Sequence, residues 1–246
     1  MAGHNKWSKI KNKKGSEDAR RGKIFTKLTR EILVAVKEGG SDPEYNASLK
    51  TAIEKAKAEN MPNDNIERAI KKASGAGAGE NYEEVVYEGY GPAGVAVIVS
   101  TLTDNRNRTA PEVRHAFDKY GGNLGQTGSV MFTFSRKGML TIEKSSLNED
   151  EIMMIAIDAG AEDFAAVDDE FVITTDVNDF SKVRDSLIEQ GYKFTSADLS
   201  YIPANEVEVT DEEDIKNLVK LIDILEDNDD VQNVYHNWDI PDDLEV

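Results

Sequence analysis

GMLTIEKSSLNEDEIMMIAIDAGAEDFAAVDDEFVITTDVNDFSKVRDSLIEQGYKFTSADLS, residues 138–200, carries the pattern that decides the fold. Residues 139–142 form a short β-rich run. Asn148 offers an N-cap, and apolar residues at helical spacing carry a helix to Ala159. Strands at 163–166 and 170–174 flank a turn at Asp168 and Asp169. A helix over 179–189 and a strand over 193–199 complete the order β-α-β-β-α-β, that of a ferredoxin-like unit.

Working outward, the same alternation recurs on both sides. Upstream lie a short strand at 84–87 and an apolar run at 95–102. A helix opened by the capping box Thr109-x-x-Glu112, with Pro111 in its first turn, ends at Gly121 and Gly122. A strand follows at 129–134. Downstream come a strand at 206–209, a helix capped by Thr210-x-x-Glu213, and a strand at 231–235. The two β-α-β halves, 95–135 and 206–236, make a second ferredoxin-like unit with the first inserted in its central hairpin. The alternative is one larger α+β domain.

The N-terminal third reads as helices. Ser16 is an N-cap, with Glu17 and Asp18 in the first turn where the helix dipole favours acids. Ile24, Phe25, Leu28, Ile32 and Val36 make one apolar face, and Gly39–Gly40 ends the helix. Asp42–Pro43 opens a second helix, with Leu49, Ile53 and Ala56 inside. Asn63 caps a third, around Ile66, Ala69, Ile70 and Ala73. SGAGAG, 74–79, is a flexible linker. The expected fold is therefore α+β: an N-terminal three-helix domain followed by two ferredoxin-like α/β domains, the second inserted in the first. Its boundaries are 1–78, then 79–136 plus 201–246 (discontinuous), then 137–200 inserted.

Charge divides the chain more sharply than fold. The 246 residues carry a formal charge of −18. Residues 1–78 hold 17 Lys and Arg against 10 Asp and Glu, a net of +7, and the rest nets −25. A basic head on an acidic body marks a polyanion-binding end. Lys6, Lys9, Lys11, Lys13 and Lys14 surround Trp7, which suits phosphate contact with base stacking. On the first helix Arg20, Lys23, Lys27 and Arg30 fall within about 80° and extend the basic surface as a stripe. Asp104-Asn105-Arg106-Asn107-Arg108-Thr109 sits where a strand feeds a helix N-terminus. There Arg106 and Arg108 either meet an anion with free backbone N–H groups or pair with Asp104 or Glu112 in a rigid loop. These twelve residues are the expected nucleic-acid-binding set.

Other chemistry is thinly supported. The chain has no Cys, so it offers no disulfide, thiol nucleophile or Cys-bound metal, and it fits a reducing compartment. His4, His115 and His236 are not at metal-ligand spacing. Gly89-Tyr90-Gly91-Pro92-Ala93-Gly94 matches a dinucleotide fingerprint in letters, but a strand follows where a helix is required. The acidic runs lack the glycine and distal Glu of a calcium loop. The longest uncharged run, 89–103, is too short to cross a bilayer, and no apolar stretch follows the basic start to make a secretory signal. No catalytic residue, metal or cofactor is expected, and no membrane partner; the expected location is the cytoplasm. Sequence alone leaves the oligomeric state open.

MAGHNKW (1–7), RGKIFTKL (21–28), YEGYGPAG (87–94), DNRNRT (104–109), EVRHAF (112–117), GGNLG (121–125), GSV (128–130) and VYHN (234–237) together resemble the YebC/PmpR family over nearly the whole chain. The resemblance implies a three-domain, cytoplasmic, non-enzymatic protein with a helical N-terminal domain and two α/β domains. It also implies a regulator of gene expression that binds DNA. The alternative it carries is a factor that binds ribosomal RNA on the ribosome and relieves stalling on proline-rich nascent chains. It supplies no catalytic set.

Overall fold

The structure, a computed structural model, describes residues 7, 17–75, 81–145, 147–241 and 244, the side chains of 17–20 excepted. The Ser16 cap, most of the glycine linker, and Lys6, Lys9, Lys11, Lys13 and Lys14 lie outside the described residues. Seven helices, two four-stranded antiparallel sheets and a parallel strand pair divide into two compact units among the described residues, one over 134–204 and one over the remainder. The fold is α+β, helical first and then built on sheets.

The unit over the remainder begins with three helices, α1 (Glu17–Gly39), α2 (Ala47–Ala58) and α3 (Asn63–Ser74). Their core is Leu28, Ile32, Val36, Leu49, Ala56 and Ile66, the face the 3.6-residue period predicts. Asp42–Pro43 makes a turn rather than a helix start. Asn46 is the cap: its Oδ1 accepts from the Leu49 N–H at 3.0 Å. Its Nδ2 donates to the carbonyls of Ala35 (2.7 Å) and Gly40 (2.8 Å), so one buried amide ties α1 to α2. A Cβ on Gly39 would lie 2.6 Å from that amide, so a side chain there would have to displace it.

The same unit continues with the hairpin β1 (Glu83–Tyr90) and β2 (Ala96–Thr103), then α4 (Arg106–Lys119) and β3 (Asn123–Leu124). After the 134–204 segment come β8 (Val207–Glu208), α7 (Glu212–Asp227), β9 (Val231–His236) and β10 (Trp238–Asp239). The sheet order is β3-β1-β2-β9, antiparallel throughout, with α4 and α7 packed on the Val95, Val97 and Val99 side. The glycine-rich stretch Gly89 to Gly94 is the end of β1 and the β1–β2 connection, closed by Gly91 N–H to Val95 O at 2.8 Å.

Three local expectations are corrected here. The ferredoxin-like arrangement is kept, but its third strand position is filled by β1, which runs longer than 84–87 and comes first in the chain. Residues 131–133 form a single 3-10 turn, not a strand. Their place is taken because the buried Glu88 carboxylate draws in the N–H groups of Gly128, Val130 and Met131 at 2.6, 2.9 and 2.8 Å. Burial pushes the Glu88 pKa up, but these three donors more than offset it and hold the group below its ordinary value. Finally, the capping boxes shift. Asn105 caps α4 through the Arg108 N–H (3.2 Å), leaving Thr109 inside the helix and Pro111 beyond the first turn, and Asp211 caps α7 in place of Thr210.

The 134–204 unit is the β-α-β-β-α-β segment: β4 (Phe134–Glu143), α5 (Glu149–Ala159), β5 (Ala161–Val167), β6 (Glu170–Thr175), α6 (Phe180–Glu189) and β7 (Ser196–Pro203). Its order β5-β6-β4-β7, all antiparallel, is the ferredoxin-like sheet. Leu140, Ile142, Ile152, Ile173, Val183 and Leu187 form its core.

Candidate nucleic-acid interface

The cationic stripe on α1 is real, but Lys23, Lys27 and Arg30 within it turn toward α7. Lys23 pairs with Asp227 at 3.0 Å. Lys27 Nζ donates to the Glu226 carbonyl at 2.8 Å. Arg30 Nη1 donates to Asp230 Oδ1 at 2.8 Å, to the Leu102 carbonyl at 3.3 Å, and to the Asp229 carbonyl. All of these acceptors but Leu102 cluster at the C-terminus of α7. The physical reason lies in α7 itself. A helix C-terminus presents carbonyls without partners and a negative dipole end, which favour cations. The last turn of α7 has no basic residue, and acids follow it. Lys23, Lys27 and Arg30 supply from α1 the charge that α7 lacks.

Asp230 is the hub of this contact. It is only 3% exposed. Besides Arg30, it accepts from Arg108 Nη2 at 2.6 Å and from Thr109 Oγ1 at 2.6 Å, and Thr103 Oγ1 donates to it at 3.3 Å. A buried carboxylate is tolerated only with such compensation. Burial raises its pKa, but Thr109, Arg108 and Arg30 together hold it below the ordinary carboxylate value. The Arg108 guanidinium is shifted upward, chiefly by its hydrogen bonds to Asp230 and Asp104.

The DNRNR loop is thereby resolved. Arg108 serves the rigid-loop role, bonded to Asp104 at 2.9 Å as well as to Asp230. Arg106 projects outward, its side chain 60% exposed and 3.5 Å from Glu83. Asn105 Oδ1 takes up the Arg108 N–H at the start of α4 at 3.2 Å.

Trp7 is a second correction. It is 1% exposed and belongs to the core of the α/β sheet, with its ring centroid 6.4 Å from that of Trp238. A ring sealed in the core is not available to stack on a base. Arg20 lies on α1, its side chain outside the described residues. The exposed cations among the described residues of the helical part stand elsewhere: Arg21 and Lys37 on α1, Lys50 and Lys57 on α2, and Arg68, Lys71 and Lys72 on α3. The sequence reading missed those on α2 and α3, along with Asp230 and Glu88. A spacing of three between Arg68 and Lys71 was the available signal.

A three-helix bundle fastened to an α/β sheet, with a ferredoxin-like unit inserted, defines the class of protein. Residues 5–76 match the family described as TACO1/YebC protein N-terminal domain, and residues 82–238 match TACO1/YebC second and third domain. The chain belongs to the TACO1/YebC family. It is 69% identical to a probable transcriptional regulatory protein of Finegoldia magna, over 97% of this chain and 99% of that one. A protein of the same description from Acetivibrio thermocellus is 61% identical, with the same coverage. A crystal structure of a conserved hypothetical protein from Aquifex aeolicus superposes with a TM-score of 0.84 at 47% identity, covering 92% and 93% of the two chains.

Proposed function

We propose that this chain is a non-enzymatic, nucleic-acid-binding regulator of gene expression that works in the cytoplasm without a cofactor. The charge partition, +7 over residues 1–78 against −25 beyond, is the observation that carries this reading. The names of the relatives, probable transcriptional regulatory proteins, support DNA as the target. Among the described residues no group of three or more His, Cys, Asp or Glu is placed to hold a metal ion. None of the described helices is long and apolar enough to cross a membrane.

With α1 turned toward α7, phosphate contact falls to Lys6, Lys9, Lys11, Lys13, Lys14 and Arg20, joined by Lys50, Lys57, Arg68 and Lys71. A second reading, a ribosome-associated factor that contacts ribosomal RNA, is favoured by one feature of α3. Its first turn carries Asp64, where a recognition helix would enter the major groove, and an acid there repels phosphate.

The test is a salt titration with promoter DNA and with ribosomal RNA. About five phosphate contacts give a log–log slope of roughly −4.5 for duplex DNA and −3.5 for single strands. Changing Lys11, Lys13 and Lys14 to Ala should flatten the slope by about three contacts' worth, whereas Lys27→Ala should leave it unchanged. An unchanged slope in the triple variant would overturn the head as the binding surface. Competition between the two nucleic acids at equal salt decides between the readings.

A further inference from the structure

The 134–204 unit exposes an apolar face that its own fold does not use. On α5, Ile152, Ala156 and Ala159 enter the core. On the opposite side Met153, Met154 and Ile157 are 37%, 63% and 49% exposed. At 100° per residue these three span an arc of about 100°, so they form one stripe rather than scattered contacts. A contiguous exposed patch of this kind marks an interaction surface, and methionine adapts to varied partners.

The surroundings of the stripe select its occupant. Glu149, Asp150, Glu151 and Asp158 flank it, and α5 contains no Lys or Arg. Asp150 lies within the stripe's own arc. The unit as a whole holds 15 acidic against 6 basic residues. Phosphate is therefore repelled, whether in nucleic acid or in an anionic lipid headgroup. A second copy is disfavoured as well, since a two-fold contact through α5 sets these acids against themselves.

We propose that the outer face of α5 is a docking surface for a Lys/Arg-rich amphipathic segment of a partner protein. Its apolar side covers Met153, Met154 and Ile157, and its cations meet Glu149, Asp150, Glu151 and Asp158. This is helix-on-helix recognition with electrostatic steering, where the apolar stripe supplies affinity and the acids supply orientation and association rate. The proposal is independent of nucleic-acid binding by the basic head.

Methyl NMR of the full chain labelled at the methionine methyls tests it. The probe is a 14-residue Leu/Lys peptide patterned as an amphipathic helix. The Met153 and Met154 signals, assigned by Met153→Leu and Met154→Leu, should shift on titration. Those of Met61 and Met139, buried in the cores, should not. Met154→Glu with Ile157→Glu should weaken binding at least tenfold without changing the melt. Asp150→Asn with Asp158→Asn should weaken it severalfold and reduce its salt dependence. Three results would overturn the proposal: no shift at Met153 and Met154, equal binding by a Lys/Ser peptide lacking an apolar face, or concentration-dependent dimerisation abolished by the Met154→Glu/Ile157→Glu change, which would assign the face to a second copy.

Discussion

Asp230→Ala removes the hub that fastens α1 to the α/β sheet, and its cost can be built from the contacts. Deleting one member of a buried, hydrogen-bonded ion pair costs about 3–5 kcal/mol, because the partner charge is left behind. Two features reduce this. The Arg108 side chain is 43% exposed and turns to Asp104 and water, so its share is discounted as for a surface pair. Arg30, at 13% exposure, keeps the carbonyls of Leu102 and Asp229. Thr103 and Thr109 lose an acceptor, but their hydroxyls still bond each other at 2.7 Å. The balance is about 3 kcal/mol, near the lower end of the range. For a chain of this size that is a fall in Tm of about 6–12 °C. The sign of the pH dependence is fixed too. The folded-state pKa of Asp230 is depressed, so its contribution is fully present above the unfolded value of about 4 and is lost as pH falls through the folded value. The difference in melting temperature between wild type and variant should therefore hold at pH 7 and close progressively below about pH 4. A cycle with Arg30→Ala should give a coupling of about 1–2 kcal/mol. A variant melting within about 2 °C of wild type, with no coupling to Arg30, would refute the fastening argument.

Trp7→Ala should destabilise the α/β core by about 3–5 kcal/mol, read by chemical denaturation, while nucleic acid should leave Trp7 emission unquenched in a Trp238→Phe background. Quenching together with an unchanged stability would return the ring to the binding surface. Arg106→Ala should leave stability within about 0.5 kcal/mol, whereas Arg108→Ala should cost about 1–3 kcal/mol; equal melts for the two variants would contradict the inward role of Arg108.

Periodicity made much of this fold legible. The inserted unit was readable because each of its elements carries its own period and α5 its own cap at Asn148, and local signals agree with the global arrangement. The α1–α3 core faces were readable for the same reason. Elsewhere the deciding partner is remote in sequence. Nothing within ten residues of Glu88 announces that it will hold Gly128, Val130 and Met131, and that long-range contact converts an expected strand into a turn. Trp7 among lysines looks like a stacking residue locally. Its core assignment depends on Trp238, more than two hundred residues away. The caps at Asn46, Asn105 and Asp211 were shifted from the positions the sequence pointed to. Each segment offers two capping side chains; at two of them the surroundings choose, since Asn46 also reaches α1 and Thr109 is claimed by Asp230.

The inward stripe did leave a trace in the sequence, and it lies on α7 rather than α1. Residues 226–230 read Glu-Asp-Asn-Asp-Asp, placed where a helix ends and its dipole is negative. That arrangement is unfavourable in isolation, since four acids join the unpaired carbonyls of the last turn. Cations supplied by another element relieve that cost. The only basic stripe of matching length is the Lys23, Lys27 and Arg30 face, whose spacing of four and three residues sets three charges along one side of a helix. The acidic body and the basic head are therefore not two independent electrostatic surfaces. Part of the head's charge is spent on closing the body's helix, and under the proposed function the charge left for a polyanion excludes Lys23, Lys27 and Arg30. Counting the whole +7 as available to nucleic acid overstates the binding surface, which is why Lys27→Ala and the Lys11, Lys13, Lys14 triple change separate so cleanly: the first should lower the melt and leave the salt slope, and the second should do the reverse.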